Sequence, residues 1–147
     1  MALYTNMFTE LVRLQIELWN GLEAHLAETA DLTLAQFQAL AAIRMKGDTA
    51  RVQDISDEMS ITVGATSKLV DRLEHAGLAV RSAHPFDRRS SLVATSKRGG
   101  KALIRADAAT EEYLRGLLAP TLPDARAASF LSDLLSLRNQ SRARVVK

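Results

Sequence analysis

Between Val52 and Gly77 the chain carries two short amphipathic helical patterns around a three-residue break, and directly afterwards the apolar period drops from that of a helix to that of a strand. In the first pattern Val52, Ile55 and Met59 share a face while Asp54, Asp57 and Glu58 stay wet. The break is Ser60-Ile61-Thr62, and Thr62 is placed to cap a second helix whose inner stripe reads Ala65, Leu69 and Leu73, with Val70 beside it and Gly77 as the closing residue. Leu78, Val80 and Leu92-Val93-Ala94-Thr95 then read as two strands around a polar tip, Ser82 to Ser91, that holds Pro85. Two helices about a tight turn, followed by a hairpin, predict a helix-turn-helix with a wing.

The flanks are helical. Phe8, Leu11, Val12, Leu18, Trp19, Leu22 and Leu26 recur at helical spacing from Tyr4 to Glu28, and Leu14 and Ile16 widen that face. Thr33 is a fitting N-cap for a helix through Phe37, Leu40, Ala41 and Ile43, which Gly47 ends. Ser96 caps a helix through Ala102, Leu103, Ile104, Leu114, Leu117 and Leu118, stopped by Pro120 and Pro123. A last helix runs from about Asp124 through Phe130, Leu131, Leu134, Leu135 and Leu137. The predicted fold is mainly α, a winged helix-turn-helix with a two-stranded β-hairpin wing and N- and C-terminal dimerisation helices. The expected division is 33–101 for the winged segment, with 1–30 and 102–147 as the dimerisation helices of a single 147-residue unit.

Charge is unevenly distributed. The net charge is only +2, yet residues 1–80 carry 6 basic and 11 acidic groups while residues 81–101 carry 6 and 1. Such a basic stretch beside an acidic half-chain is the footprint expected of a polyanion-binding surface. Its basic members are Arg81, Arg88, Arg89, Lys97, Arg98 and Lys101.

Other chemistries are excluded or poorly served. There is no cysteine, so disulfides, thiolate metal sites and thiol catalysis are absent together. The three histidines, His25, His75 and His84, are far apart in sequence, and neither a G-x-S-x-G nor a glycine-rich phosphate loop occurs. We therefore expect no enzyme activity, no metal and no cofactor. The first residues lack a basic leader before an apolar run, and no apolar stretch nears the roughly 18 residues of a membrane helix, so a cytoplasmic location away from membranes is expected.

Three segments carry a family resemblance. Leu69-Val70-Asp71-Arg72-Leu73-Glu74 followed by Gly77-Leu78, the wing tip Asp87-Arg88-Arg89-Ser90, and Leu32-Thr33-Leu34-Ala35-Gln36-Phe37 resemble, in order and spacing, the multiple antibiotic resistance regulator (MarR) family of winged helix-turn-helix repressors. The likeness extends over nearly the whole chain. Two positions depart from the pattern: Ser60 stands where the family's turn usually has glycine or asparagine, and Val63 where its recognition helix often begins with arginine.

On a recognition helix starting near Val63, the outward residues are Val63, Gly64, Ser67, Lys68 and Asp71. Val63 suits a thymine methyl and Gly64 allows close backbone approach; Ser67 and Lys68 are the side chains best suited to base edges or phosphates. The resemblance implies that Arg89 enters the minor groove, with Asp87 bonding its guanidinium and holding the wing. Arg88, Arg81 and Lys97 are expected at phosphates, and Arg72 either meets a phosphate or pairs with Glu74 or Asp71.

A homodimer is expected, and its two-fold symmetry would read a palindromic double-stranded operator; the resemblance further implies, in many members, a small aromatic or phenolic effector. Trp19, His25 and Phe37 are the residues best placed for such a pocket. Apolar surplus at Leu11, Leu18, Phe130, Leu131 and Leu134 independently asks for a partner chain. The competing expectation is a winged-helix protein-interaction module without DNA binding, against which Lys68, Arg88 and Arg89 weigh.

Overall fold

A computed structural model describes residues 2–145. Its elements follow in the order α1 (Leu3–Thr29), α2 (Leu34–Met45), α3 (Val52–Met59), α4 (Val63–His75), β1 (Ala79–Ala83), β2 (Ser91–Thr95), α5 (Lys97–Leu118) and α6 (Asp124–Val145). The six helices and one hairpin are those expected, and α3 and α4 have the anticipated bounds.

Local chemistry explains the boundaries. Thr33 accepts from the Gln36 amide while the Gln36 side chain accepts from the Thr33 amide, a reciprocal cap on α2. The Glu23 carboxylate of α1 also accepts from the Leu34 amide at 2.8 Å, which fixes α1 against the start of α2 and sets a negative charge at its positive end. Asp54 reaches back to the Arg51 amide at the head of α3. Ser60 ends α3 in the left-handed region, with φ 56°, and the Ser56 hydroxyl donates to the Ile61 carbonyl, so side-chain bonding supports a turn that glycine would enter without strain.

Thr62 caps α4 by accepting from the Ala65 amide. The inner stripe is as expected at Leu69, Val70 and Leu73 and differs at its first position. Ala65 is exposed, whereas Thr66, Leu69, Val70 and Leu73 are buried, and the Thr66 hydroxyl donates to the Thr62 carbonyl. Thr66 can enter the core because that bond satisfies its hydroxyl.

The hairpin is antiparallel, with Ala79 opposite Thr95 and Ala83 opposite Ser91. Val93 also exchanges both backbone bonds with Ala50, which ties β2 to the segment before α3. A second clasp acts at the same strand end. Asp48 accepts from both the Thr95 amide, at 2.8 Å, and the Thr95 hydroxyl, at 2.7 Å. Burial would raise the Asp48 pKa, but the two Thr95 bonds and nearby Arg44 outweigh it and hold the carboxyl below the usual range.

The start of α5 seats on the turn after α4. Ser96 donates to the Gly77 carbonyl at 2.6 Å and accepts from the Gly99 amide at 2.9 Å. Gly99 packs so closely that a Cβ there would lie 1.8 Å from the Leu78 carbonyl oxygen.

The chain divides into two compact units, Met1–Thr110 and Glu111–Lys147, so α1 and the first part of α5 belong with the winged segment. Leu26, Leu40, Ile43, Ile55, Val70, Leu73 and Val93 form the sealed centre of the first unit. In the second, Arg115 pairs with Glu111 and Asp124, and α6 has no buried residue. The expected apolar surplus is distributed differently in detail. Leu11, Leu18 and Leu134 are half-buried, Phe130 and Leu131 are exposed, and Leu3, Tyr4 and Phe8 at the head of α1 are more open still.

Candidate nucleic-acid interface

Two neighbouring elements of the first unit make the candidate surface, the outer side of α4 and the hairpin tip. Val63, Gly64, Lys68, Asp71 and Arg72 are exposed along α4 and Ser67 is half-buried. A Cβ on Gly64 would meet nothing within 4 Å, so the position is open on its outer side. The first turn of α4 thus presents a methyl-rich, low-relief surface from Val63 to Ala65, with Ser67 and Lys68 just behind it.

Arg81 is held between two acids. Its Nη2 lies 2.7 Å from Asp71 and its Nε 2.7 Å from Glu74, bridging β1 to α4. With 27% of its side chain exposed, it fixes the angle between hairpin and helix and offsets acidic charge on the outer face of α4. Arg72, by contrast, has no ion pair among the described residues, although Asp71 and Glu74 flank it in sequence. Sequence pattern alone did not show that both acids turn to Arg81, because that bridge joins different elements.

The tip has internal order. Asp87 accepts from the backbone amide of Arg89 at 3.0 Å, and its carbonyl accepts from Ser90 at 3.2 Å. The expected bond from Asp87 to the Arg89 guanidinium is replaced by this backbone bond, which favours an aspartate-type turn and leaves the Arg89 side chain exposed. Arg88 is exposed too. His84 stands behind them, its Nε2 2.8 Å from the Arg51 guanidinium and its Nδ1 3.1 Å from the Phe86 amide. Both neighbours are donors, so a neutral ring can accept from one at a time.

Lys97 is exposed at the first turn of α5, where Lys97, Arg98, Lys101 and Arg105 line an open basic cleft. The structure therefore brings Arg81 to the outer side of α4, keeps Arg88 and Arg89 at the wing tip, and sets Lys97 at the strand end opposite that tip. Trp19 and His25 are six residues apart on α1, so about 120° of helix separates them. Trp19 is 36% exposed, while His25 and Phe37 are half-buried.

Residues 30–90, from the end of α1 through α2, α3, α4 and β1 to the wing tip, match the MarR family model. That segment is therefore similar to the MarR family's winged helix. Over 71 residues it is 34% identical to an uncharacterized HTH-type transcriptional regulator of Bacillus subtilis, YfiV. That alignment takes in 48% of this chain and 44% of YfiV, so the chain spans less than half the length of this curated relative. Among solved structures, the MarR-family regulator Sco3205 of Streptomyces coelicolor, in complex with DNA, superposes with a TM-score of 0.83 at 18% identity, covering 96% of this chain and 89% of that one. CouR of Rhodococcus jostii, bound to p-coumaroyl-CoA, gives a TM-score of 0.79 at 23% identity, covering 93% and 94%. At these identities the structural likeness speaks for the MarR fold.

Proposed function

We propose that the protein is a homodimeric transcriptional regulator that binds a palindromic duplex operator, represses from it, and is released by a small aromatic or phenolic ligand. The observation that carries the DNA-binding reading is the exposure of the first turn of α4, Lys68 and the wing's Arg88 and Arg89, on a helix and hairpin that Arg81 braces together. Val63, Gly64, Ser67 and Lys68 would enter the major groove, Arg89 the minor groove, and Arg72, Arg88 and Lys97 would meet phosphates. Asp87 supports the wing. Sco3205, a structural neighbour solved with DNA, supports the same use of the fold.

Homodimerisation is supported by the apolar side chains that each unit leaves open, Leu3, Tyr4 and Phe8 in the first and Phe130, Leu131 and Leu135 in the second. Their burial would contribute roughly 25 cal/mol for each Å2 removed from water. A two-fold dimer reads an inverted repeat with half-sites about 10 base pairs apart.

The proposed effector residues remain Trp19, His25 and Phe37, and CouR with its bound p-coumaroyl-CoA supports a ligand-responsive fold. Among the described residues no helix is long and apolar enough to cross a membrane, in keeping with a proposed cytoplasmic location.

Selection of bound sequences from random duplex DNA tests this function. Enrichment of an inverted repeat, protected on both half-sites, is the expected result. No enrichment, or protection of one non-palindromic half-site, would remove the operator reading. Titrating aromatic acids while following Trp19 fluorescence and operator affinity tests the release step, which fails if quenching saturates with affinity unchanged.

A further inference from the structure

Phe86 is 94% exposed, the most open large apolar side chain among the described residues, and it stands at the wing tip. Its backbone is held on both sides. Pro85 restricts the chain before it, its own amide donates to His84 Nδ1 at 3.1 Å, and the Asp87 turn follows at once. The His84 ring stands edge-on, with centroids 6.3 Å apart, yet leaves the phenyl ring in water. A large apolar group presented by an ordered tip, with Arg88 and Arg89 directly after it, has a surface matched to something both acidic and apolar.

The DNA minor groove offers both together, with phosphates along its walls and, where a base step is opened, apolar base faces between them. The other outward elements leave a gap in recognition that such a contact would fill. Val63 and Gly64 lack polar side-chain atoms for base edges, so discrimination from the first turn of α4 is limited. We propose that Phe86 is an apolar wedge, pressed by the wing between base pairs of the minor groove, which unstacks one step and bends the duplex. This rests on the DNA-binding reading above. The cost of unstacking is least at flexible pyrimidine–purine steps such as TA or CA/TG, so the wedge would select for such a step under each wing.

The test uses the full chain and the duplex recovered by random-sequence selection, with 2-aminopurine placed in turn at the steps under the wing and dyes at the ends to read the bend. Wild type should brighten one probe step and shorten the end-to-end distance. Phe86→Ala should lose the brightening, straighten the duplex and weaken binding about tenfold, while Phe86→Leu, which keeps an apolar wedge, should retain part of each effect. The ring touches no core residue, so the unfolding midpoint should stay unchanged in both variants. If Phe86→Ala binds, brightens and bends like wild type, the wedge is overturned and the DNA-binding reading stands. If wild type enriches no duplex, both fall. If Phe86→Ala disrupts the dimer in sedimentation with duplex distortion intact, the ring belongs to a protein contact and the wedge is again overturned.

Discussion

Leu26, Leu40, Ile43, Ile55, Val70, Leu73 and Val93 are sealed from solvent inside the first unit, whereas α6 in the second buries nothing and leaves Phe130, Leu131, Leu135 and Leu137 in water. The first region draws cohesion from long-range ties: Val93 to Ala50, Asp48 to Thr95, and Ser96 to Gly77. The second holds an ion-pair network around Arg115, all on the surface, where such pairs contribute little. One region therefore owns a core, and the other presents apolar surface that the proposed homodimer would cover. A scaffold that must hold a reading helix and wing at fixed angles benefits from the first arrangement, and an assembly element from the second.

Matched glycine substitutions should separate the regions most sharply. Gly99→Ala drives a methyl into the Leu78 carbonyl, with backbone on both sides of the clash, and should cost at least about 3 kcal/mol in denaturant unfolding. Gly116→Ala meets nothing within 4 Å and lies inside α5, so it should leave stability unchanged or raise it by up to about 1 kcal/mol. Equal losses at the two sites would break the comparison.

Core and surface leucines give the next largest contrast. Leu73→Ala, at a position with no exposure, should cost about 2 to 5 kcal/mol. Leu131→Ser, at 56% exposure, should move the unfolding free energy of dilute monomer by no more than about 0.5 kcal/mol. It should also weaken self-association in sedimentation, and unaltered association would remove α6 from the proposed dimer contact.

The Asp48 clasp sharpens the picture through pH. Its folded pKa is depressed, so its contribution is present above the ordinary carboxylate value of about 4 and is lost as pH falls through the lower folded value. Asp48→Ala should cost about 1 to 2 kcal/mol at pH 7 and flatten the fall in stability across that acid window. Parallel wild-type and variant curves down to pH 3 would show the clasp to be idle.

Much of this fold was legible because its signals are local. Thr33, Thr62 and Ser96 cap the helices they were expected to cap, and the change of period after Gly77 marks the hairpin. What sequence pattern missed depends on distant partners or on phase. Ala65 and Thr66 are adjacent small residues, and only the Thr62 carbonyl decides that the threonine goes inward. Arg81 looked like a phosphate ligand because nothing in a linear reading points Asp71 and Glu74 at it. The Asp48 to Thr95 bonds close a gap of 47 residues, beyond any local signal. Phe86 gives no sequence signal, because one aromatic in a charged tip carries no period at all.

Operator affinity measured across a salt series, on wild type, Arg89→Ala and Arg138→Ala, tests the central claim most directly, since the two variants lose the same charge from different regions. The account predicts that Arg89→Ala weakens binding and lowers the slope of log affinity against log salt by about one for each wing on the DNA, while Arg138→Ala on α6 changes neither. Equal effects from the two variants, or wild-type affinity and slope for Arg89→Ala, would contradict it.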